Sequence, residues 1–94
     1  MIVRLMGEGQ WQVADSVRAP IDELDGDTER AVVAGDEVAL ALALRRLHEL
    51  VRESGEKLDD AELAASDLVV PPIDLSLVEA RELLHGDGLI PELP

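Results

Sequence analysis

The sequence has no cysteine, no tyrosine and no phenylalanine, and Trp11 is its single aromatic residue. Without cysteine there is no disulfide staple, no thiol nucleophile and no thiolate metal site. Without a set of aromatics there is no platform on which nucleic-acid bases could stack. Positive charge is also scarce, with 8 Lys/Arg against 21 Asp/Glu and a formal charge of −13. A surface this acidic repels phosphate backbones, which argues against nucleic acid as a partner. Long hydrophobic runs are missing as well. The longest uncharged apolar run, Val38 to Leu44, has seven residues, far below the ~20 that span a bilayer. The first residues carry no basic region, apolar segment or small-residue cleavage site of a signal peptide. The expectation is a cytoplasmic protein with no direct membrane insertion.

What the chain does have is enough aliphatic mass to fold. Apolar residues make up 47% of its 94 residues, well above the range of disordered chains. At this size a chain buries roughly 60–65% of its unfolded surface. The core must be built from Leu, Val, Ile and Ala.

The patterning predicts one α+β domain over residues 1–94, with no linker or repeat dividing it. Residues 2–6 and 10–13 alternate as two short strands around Gly7-Glu8-Gly9, with Val3, Leu5, Trp11 and Val13 on one face. Two such strands are marginal alone and must lean on helices. From Asp15 to Ala34 the apolar spacing turns helical, with Asp15 or Ser16 as the N-cap candidate. Pro20 and Gly26 suggest a short opening turn, followed by a helix from about Asp25 or Asp27. Gly35 is a natural stop. Asp36 to Ser54 carries a continuous stripe of Leu40, Ala43, Leu44, Leu47, Leu50 and Val51, capped by Asp36 and ended by Gly55. Asp59 with Glu62 reads as a capping box opening a short helix to about Ala65. Asp67 to Val70 runs into Pro71-Pro72 and fits an edge strand beside the N-terminal hairpin. Ser76 with Glu79 is a second capping box, opening a helix with Leu77, Ala80, Leu83 and Leu84 on its buried side and Gly86 at its end. The tail Leu89-Ile90-Pro91 is expected to dock, because two adjacent aliphatics are costly to expose.

Residues suited to chemistry are few. The hydroxyls Ser16, Thr28, Ser54, Ser66 and Ser76 lack an evident base, and several stand where caps belong. His48 and His85 each fall near a helix end, where an imidazole complements the dipole, and read as surface or capping residues. Asp25, Asp27, Glu29 and Asp36 mimic a calcium loop in part. Arg30 replaces the sharp-turn glycine, and Asp36 stands where glutamate belongs. The glycines around Glu8 and Asp87 match no phosphate-binding loop. Neither a catalytic set, a metal site nor a cofactor site emerges, so an enzyme is not expected.

The long helix holds the more informative anomaly. At 100° per residue, Val38 and Leu42 fall roughly 160° and 200° from Leu40. They share the outer face with Arg45, Arg46, Glu49 and Glu53. Apolar residues among charges are often incidental. They are also the pattern of a helix-binding surface, apolar at its centre and charged at its rim. Trp11 poses the same choice, a lid on the core or an interface anchor. The candidate protein-binding set is therefore Val38, Leu42, Arg45, Arg46, Glu49 and Trp11.

The opening Met1-Ile2-Val3-Arg4-Leu5-Met6-Gly7-Glu8-Gly9-Gln10-Trp11 resembles the PspA-associated domain, PspAA. The resemblance continues through Ala34-Gly35-Asp36-Glu37, Ser66-Asp67-Leu68-Val69-Val70-Pro71-Pro72 and Gly88-Leu89-Ile90-Pro91. It implies a small accessory protein of the envelope-stress response in actinobacteria and archaea, without catalytic residues. It also implies a partner, phage-shock protein A, a coiled-coil protein related to the ESCRT-III proteins that assembles on stressed inner membranes. Any recruitment to the membrane would pass through that partner. The competing reading from charge alone is an acidic decoy that mimics nucleic acid and occupies a basic surface. Oligomeric state is left unassigned by the sequence.

Overall fold

The computed structural model describes residues 1–62 and 64–83. Strand β1 (Ile2–Leu5) and strand β2 (Gly9–Val13) form the expected hairpin. They pair antiparallel, with Val3 opposite Trp11 and Arg4 opposite Gln10. A single 3₁₀ turn over Asp15–Val17 leads into helix α1 (Arg18–Ala34) and then α2 (Glu37–Ser54). Strand β3 (Gly55–Lys57) follows without a break, and β4 (Leu68–Val70) and helix α3 (Leu77–Leu83) complete the described chain. The sheet order is β3-β2-β1-β4, with β4 running parallel to β1.

The alternation of the strands sends Val3, Leu5, Trp11, Val13, Leu68 and Val70 to one face, where they meet Ile21 of α1 and Leu47 and Val51 of α2. A second cluster joins Ala31 and Val32, Leu40 and Leu44, and Ala80 of α3. The two clusters lie along one stripe of α2, which is why that helix carries the most regular apolar spacing in the sequence.

Helix α1 runs continuously through Pro20 and Gly26, rather than starting near Asp25 or Asp27. Pro20 is its third residue, where the missing N–H has no intrahelical partner in any case. A mid-helix glycine costs only about 1 kcal/mol. Neither Asp15 nor Ser16 caps it: the residues at the cap positions, Ala14 and Val17, make no side-chain cap bond. Asp15 instead lies 3.4 Å from the Met1 ammonium. Gly35 ends α1 with φ +68°, and the Asp36 N–H reaches back to the Ala31 carbonyl at 2.9 Å. That left-handed stop lets α2 fold back on α1 after a two-residue connection. Asp36 then caps α2, its Oδ1 accepting from the Ala39 N–H at 3.0 Å.

The Asp59 box makes a turn and not a helix. Asp59 Oδ1 accepts from the Ala61 N–H at 3.0 Å, two residues on instead of three. The segment beyond it is pinned to the sheet by Gln10, whose side-chain amide donates to the Ala64 carbonyl at 2.8 Å and to Ser66 Oγ at 2.7 Å. Asp67 ties the strand entry to β1, its carboxylate accepting from the Ile2 N–H at 2.7 Å. The second capping box is closed in both directions, with Ser76 Oγ accepting from the Glu79 N–H and Glu79 Oε1 from the Ser76 N–H, each at 3.1 Å. Leu77 and Ala80 pack inward, whereas Leu83 is exposed. Leu84, His85, Gly86 and the expected docking of Leu89-Ile90-Pro91 lie outside the described residues.

Candidate functional site

The inner side of α2 is taken up by the core, which leaves its outer side to solvent. There Val38 is 79% exposed and Leu42 is 44% exposed, as the helical angles require. With Glu37, Ala41 and Arg45 they line a shallow groove of ≈ 360 Å³. Its middle is apolar, and the two charges stand eight positions apart, about 12 Å along a helix rising 1.5 Å per residue. Arg46 and Glu49 are exposed on the same helix without lining the groove.

Trp11 does not belong to this face. The residue is only 7% exposed, within the core cluster on the helix side of the sheet, and Lys57 Nζ stands 5.6 Å from its ring centroid. It is the lid of the two readings, because its alternate position in β2 points it at the helices.

A second hollow of ≈ 500 Å³ lies on the opposite side of the sheet, lined in part by Arg4, Gln10, Asp59, Asp60 and Glu62. Among the described residues no group of three or more His, Asp or Glu is placed to hold a metal ion. Asp25, Asp27 and Glu29 all sit on α1, and Asp27 pairs with Arg30 one turn on.

His48 corrects the reading of it as a surface or capping residue. It is fully buried, one helical turn from Leu44 and Val51. Nδ1 contacts Glu8 Oε2, and Nε2 lies 2.7 Å from the Pro71 carbonyl oxygen. Arg52 donates to the other oxygen of Glu8. The Glu8 carboxyl is held below the ordinary glutamate value by its hydrogen bond with His48, which outweighs the opposing cost of burial, and Arg52 lowers it further. Sequence spacing carried a signal for this: His48 stands four residues after Leu44 and three before Val51, on the buried stripe.

Architecture and surface together define a small α+β domain, a four-stranded sheet backed by a helical hairpin that presents an apolar groove on its outward helix. The chain belongs to the PspA-associated protein family, whose family model, PspAA, matches residues 1–92. No curated protein and no solved structure matches the chain.

Proposed function

We propose that this PspA-associated protein is a non-enzymatic accessory module that binds a coiled-coil partner of the phage-shock protein A type through the outer face of α2. The observation that carries the reading is the groove of Val38, Ala41 and Leu42 between Glu37 and Arg45. An apolar strip with opposite charges at its two ends suits one face of a partner helix, apolar at its centre and oppositely charged at the matching ends. The family membership supplies the kind of partner. The net charge of −13 favours encounter with a basic stretch of that partner and disfavours direct contact with anionic lipid. Among the described residues no helix is long and apolar enough to cross a membrane. In this reading the protein works in the cytoplasm and reaches the inner membrane face, in the stress response, through its partner.

The test is affinity for phage-shock protein A from the same genome, measured for the wild type, Leu42→Glu and Arg46→Glu. Leu42→Glu is expected to weaken binding by at least about 10-fold. Its unfolding free energy should stay within about 0.5 kcal/mol of wild type, as for an exposed site. Arg46→Glu, outside the groove, should bind nearly as wild type. No measurable binding, or equal affinity for Leu42→Glu, refutes the reading. Recovery of basic nucleic-acid-binding proteins in its place would favour the acidic decoy.

A further inference from the structure

Three stretches of chain distant in sequence meet at His48: the β1–β2 turn through Glu8, the exit of β4 through Pro71, and α2 itself. The imidazole sits on α2 between Leu44 of one apolar cluster and Leu47 and Val51 of the other. A neutral imidazole offers one donor and one acceptor. The Pro71 carbonyl can only accept, so Nε2 must carry a hydrogen. An ionised Glu8 can also only accept, so Nδ1 must carry one too.

A neutral ring satisfies both partners only if Glu8 is protonated; beside an ionised Glu8 it leaves one ring nitrogen facing an acceptor without a hydrogen. The geometry opposes a protonated Glu8: its second oxygen receives the Arg52 guanidinium, and these same contacts hold the carboxyl below its ordinary value. Among the described residues, the charged groups bonded within this cluster are Glu8 from the turn and Arg52 from α2, and the Pro71 carbonyl meets the ring from the exit of β4. The arrangement is complete with His48 as the doubly protonated imidazolium.

We propose that His48 is a proton-operated latch that joins the β4 exit, and through it α3, to α2. When pH rises and the ring loses one hydrogen, the ionised carboxylate retains the remaining one, because a charge-assisted bond is the stronger. Nε2 then turns a lone pair toward the Pro71 carbonyl, and that contact is lost. The β1–β2 turn stays tied through Glu8 to both His48 and Arg52. Beyond Pro71 the chain makes one tight turn, with the Leu75 N–H 3.2 Å from the Pro72 carbonyl. It then enters α3, whose Ala80 fills the second apolar cluster. Val70 stays tied to the β1–β2 turn by the Met6 N–H at 3.1 Å, so release at Pro71 loosens the chain beyond it, at the root of α3.

The experiment is an NMR pH titration of the uniformly ¹⁵N-labelled full chain, following the histidine ring nitrogens and the backbone amides. His85→Gln assigns the two histidine signals. Both His48 ring nitrogens are expected to report N–H at the acidic end of the titration. As the ring loses its proton, the amides of Ile73, Leu75 and Leu77 should shift with the same midpoint, and those of Gly7 and Gly9 should move less. In Glu8→Gln, which removes the anionic partner, the amides of Gly7 and Gly9 should shift as much as those of Ile73, Leu75 and Leu77. The wild-type titration decides alone if that variant does not fold. A ring that stays neutral throughout, that never titrates in the folded chain, or that titrates without moving residues 73–77 overturns the proposal.

Discussion

The same substitution at two glycines should move stability in opposite directions. Gly55 links α2 to β3 with φ −137° and ψ −176°, an extended backbone open to any residue. Space is the constraint. A Cβ there would stand 2.5 Å from the Gln12 carbonyl oxygen and 2.5 Å from Val13 Cγ1. The first obstacle is backbone in β2, and the second is a buried core side chain. Neither can rotate away, so β3 must part from β2 by most of an ångström. Overpacking of this kind costs about 1–3 kcal/mol, and an obstacle made of backbone puts Gly55→Ala near the upper end. At about 4–8 °C per kcal/mol for a domain of this size, Tm should fall on the order of 10–20 °C. Gly26 differs in both respects. It lies inside α1, and a Cβ there would meet only the flexible end of Arg30, at 3.5 Å. Alanine removes the helix penalty of glycine, so Gly26→Ala should gain about 1 kcal/mol and raise Tm by about 4–8 °C. Thermal and urea unfolding followed by circular dichroism measure both, and unchanged m-values would confirm that the native state is what shifted. A wild-type Tm for Gly55→Ala, or a lowered one for Gly26→Ala, would refute the packing argument.

Two further outcomes follow from the caps and the buried cluster. Asp36→Ala removes the acceptor for the Ala39 N–H and should cost about 1 kcal/mol in urea unfolding, with Asp36→Asn or Asp36→Ser restoring most of it. The Glu8 carboxyl is held below its ordinary value of 4.5 in the folded chain. Its stabilising contribution is therefore complete above that value and is lost as pH falls below it. Urea midpoints of wild type and Glu8→Gln should differ at about pH 7 and draw together as pH falls below 4.5, and a constant gap would exclude Glu8 as the group responsible.

Local patterns in the sequence carried much of this fold. The alternation of Val3 and Leu5 and of Trp11 and Val13 defines the hairpin, and the stripe from Leu40 to Val51 defines α2. Gly35 and the Ser76–Glu79 box act within a few residues of themselves and were readable for that reason. Strand β3 was not, because Gly55-Glu56-Lys57 contains no apolar residue, and its pairing depends on the close approach to Gln12 and Val13. The Asp59 box carried a helix signal that Gln10 overrides from 54 residues away. The groove was legible, since Val38, Leu42 and Arg45 follow from helical angles alone. The role of His48 was not, because its two partners come from Glu8 and Pro71, and only the fold brings them together.

The parallel pairing of β1 with β4 sets a timetable for synthesis. Val3 finds Leu68 across 65 residues, while the β1–β2 and α1–α2 contacts close over short loops. On the ribosome the hairpin and both long helices emerge first, and the outer edge of β1 waits for residue 70. At roughly 5–20 residues per second, that wait lasts about 3–11 s after Val13 has been made. An unpaired strand edge held open for seconds invites pairing with another nascent chain. The guanidinium of Arg4, in the middle of that strand, and the like charge of neighbouring copies oppose it during the interval. Part of the acidity of this chain thus protects the protein before it has finished folding.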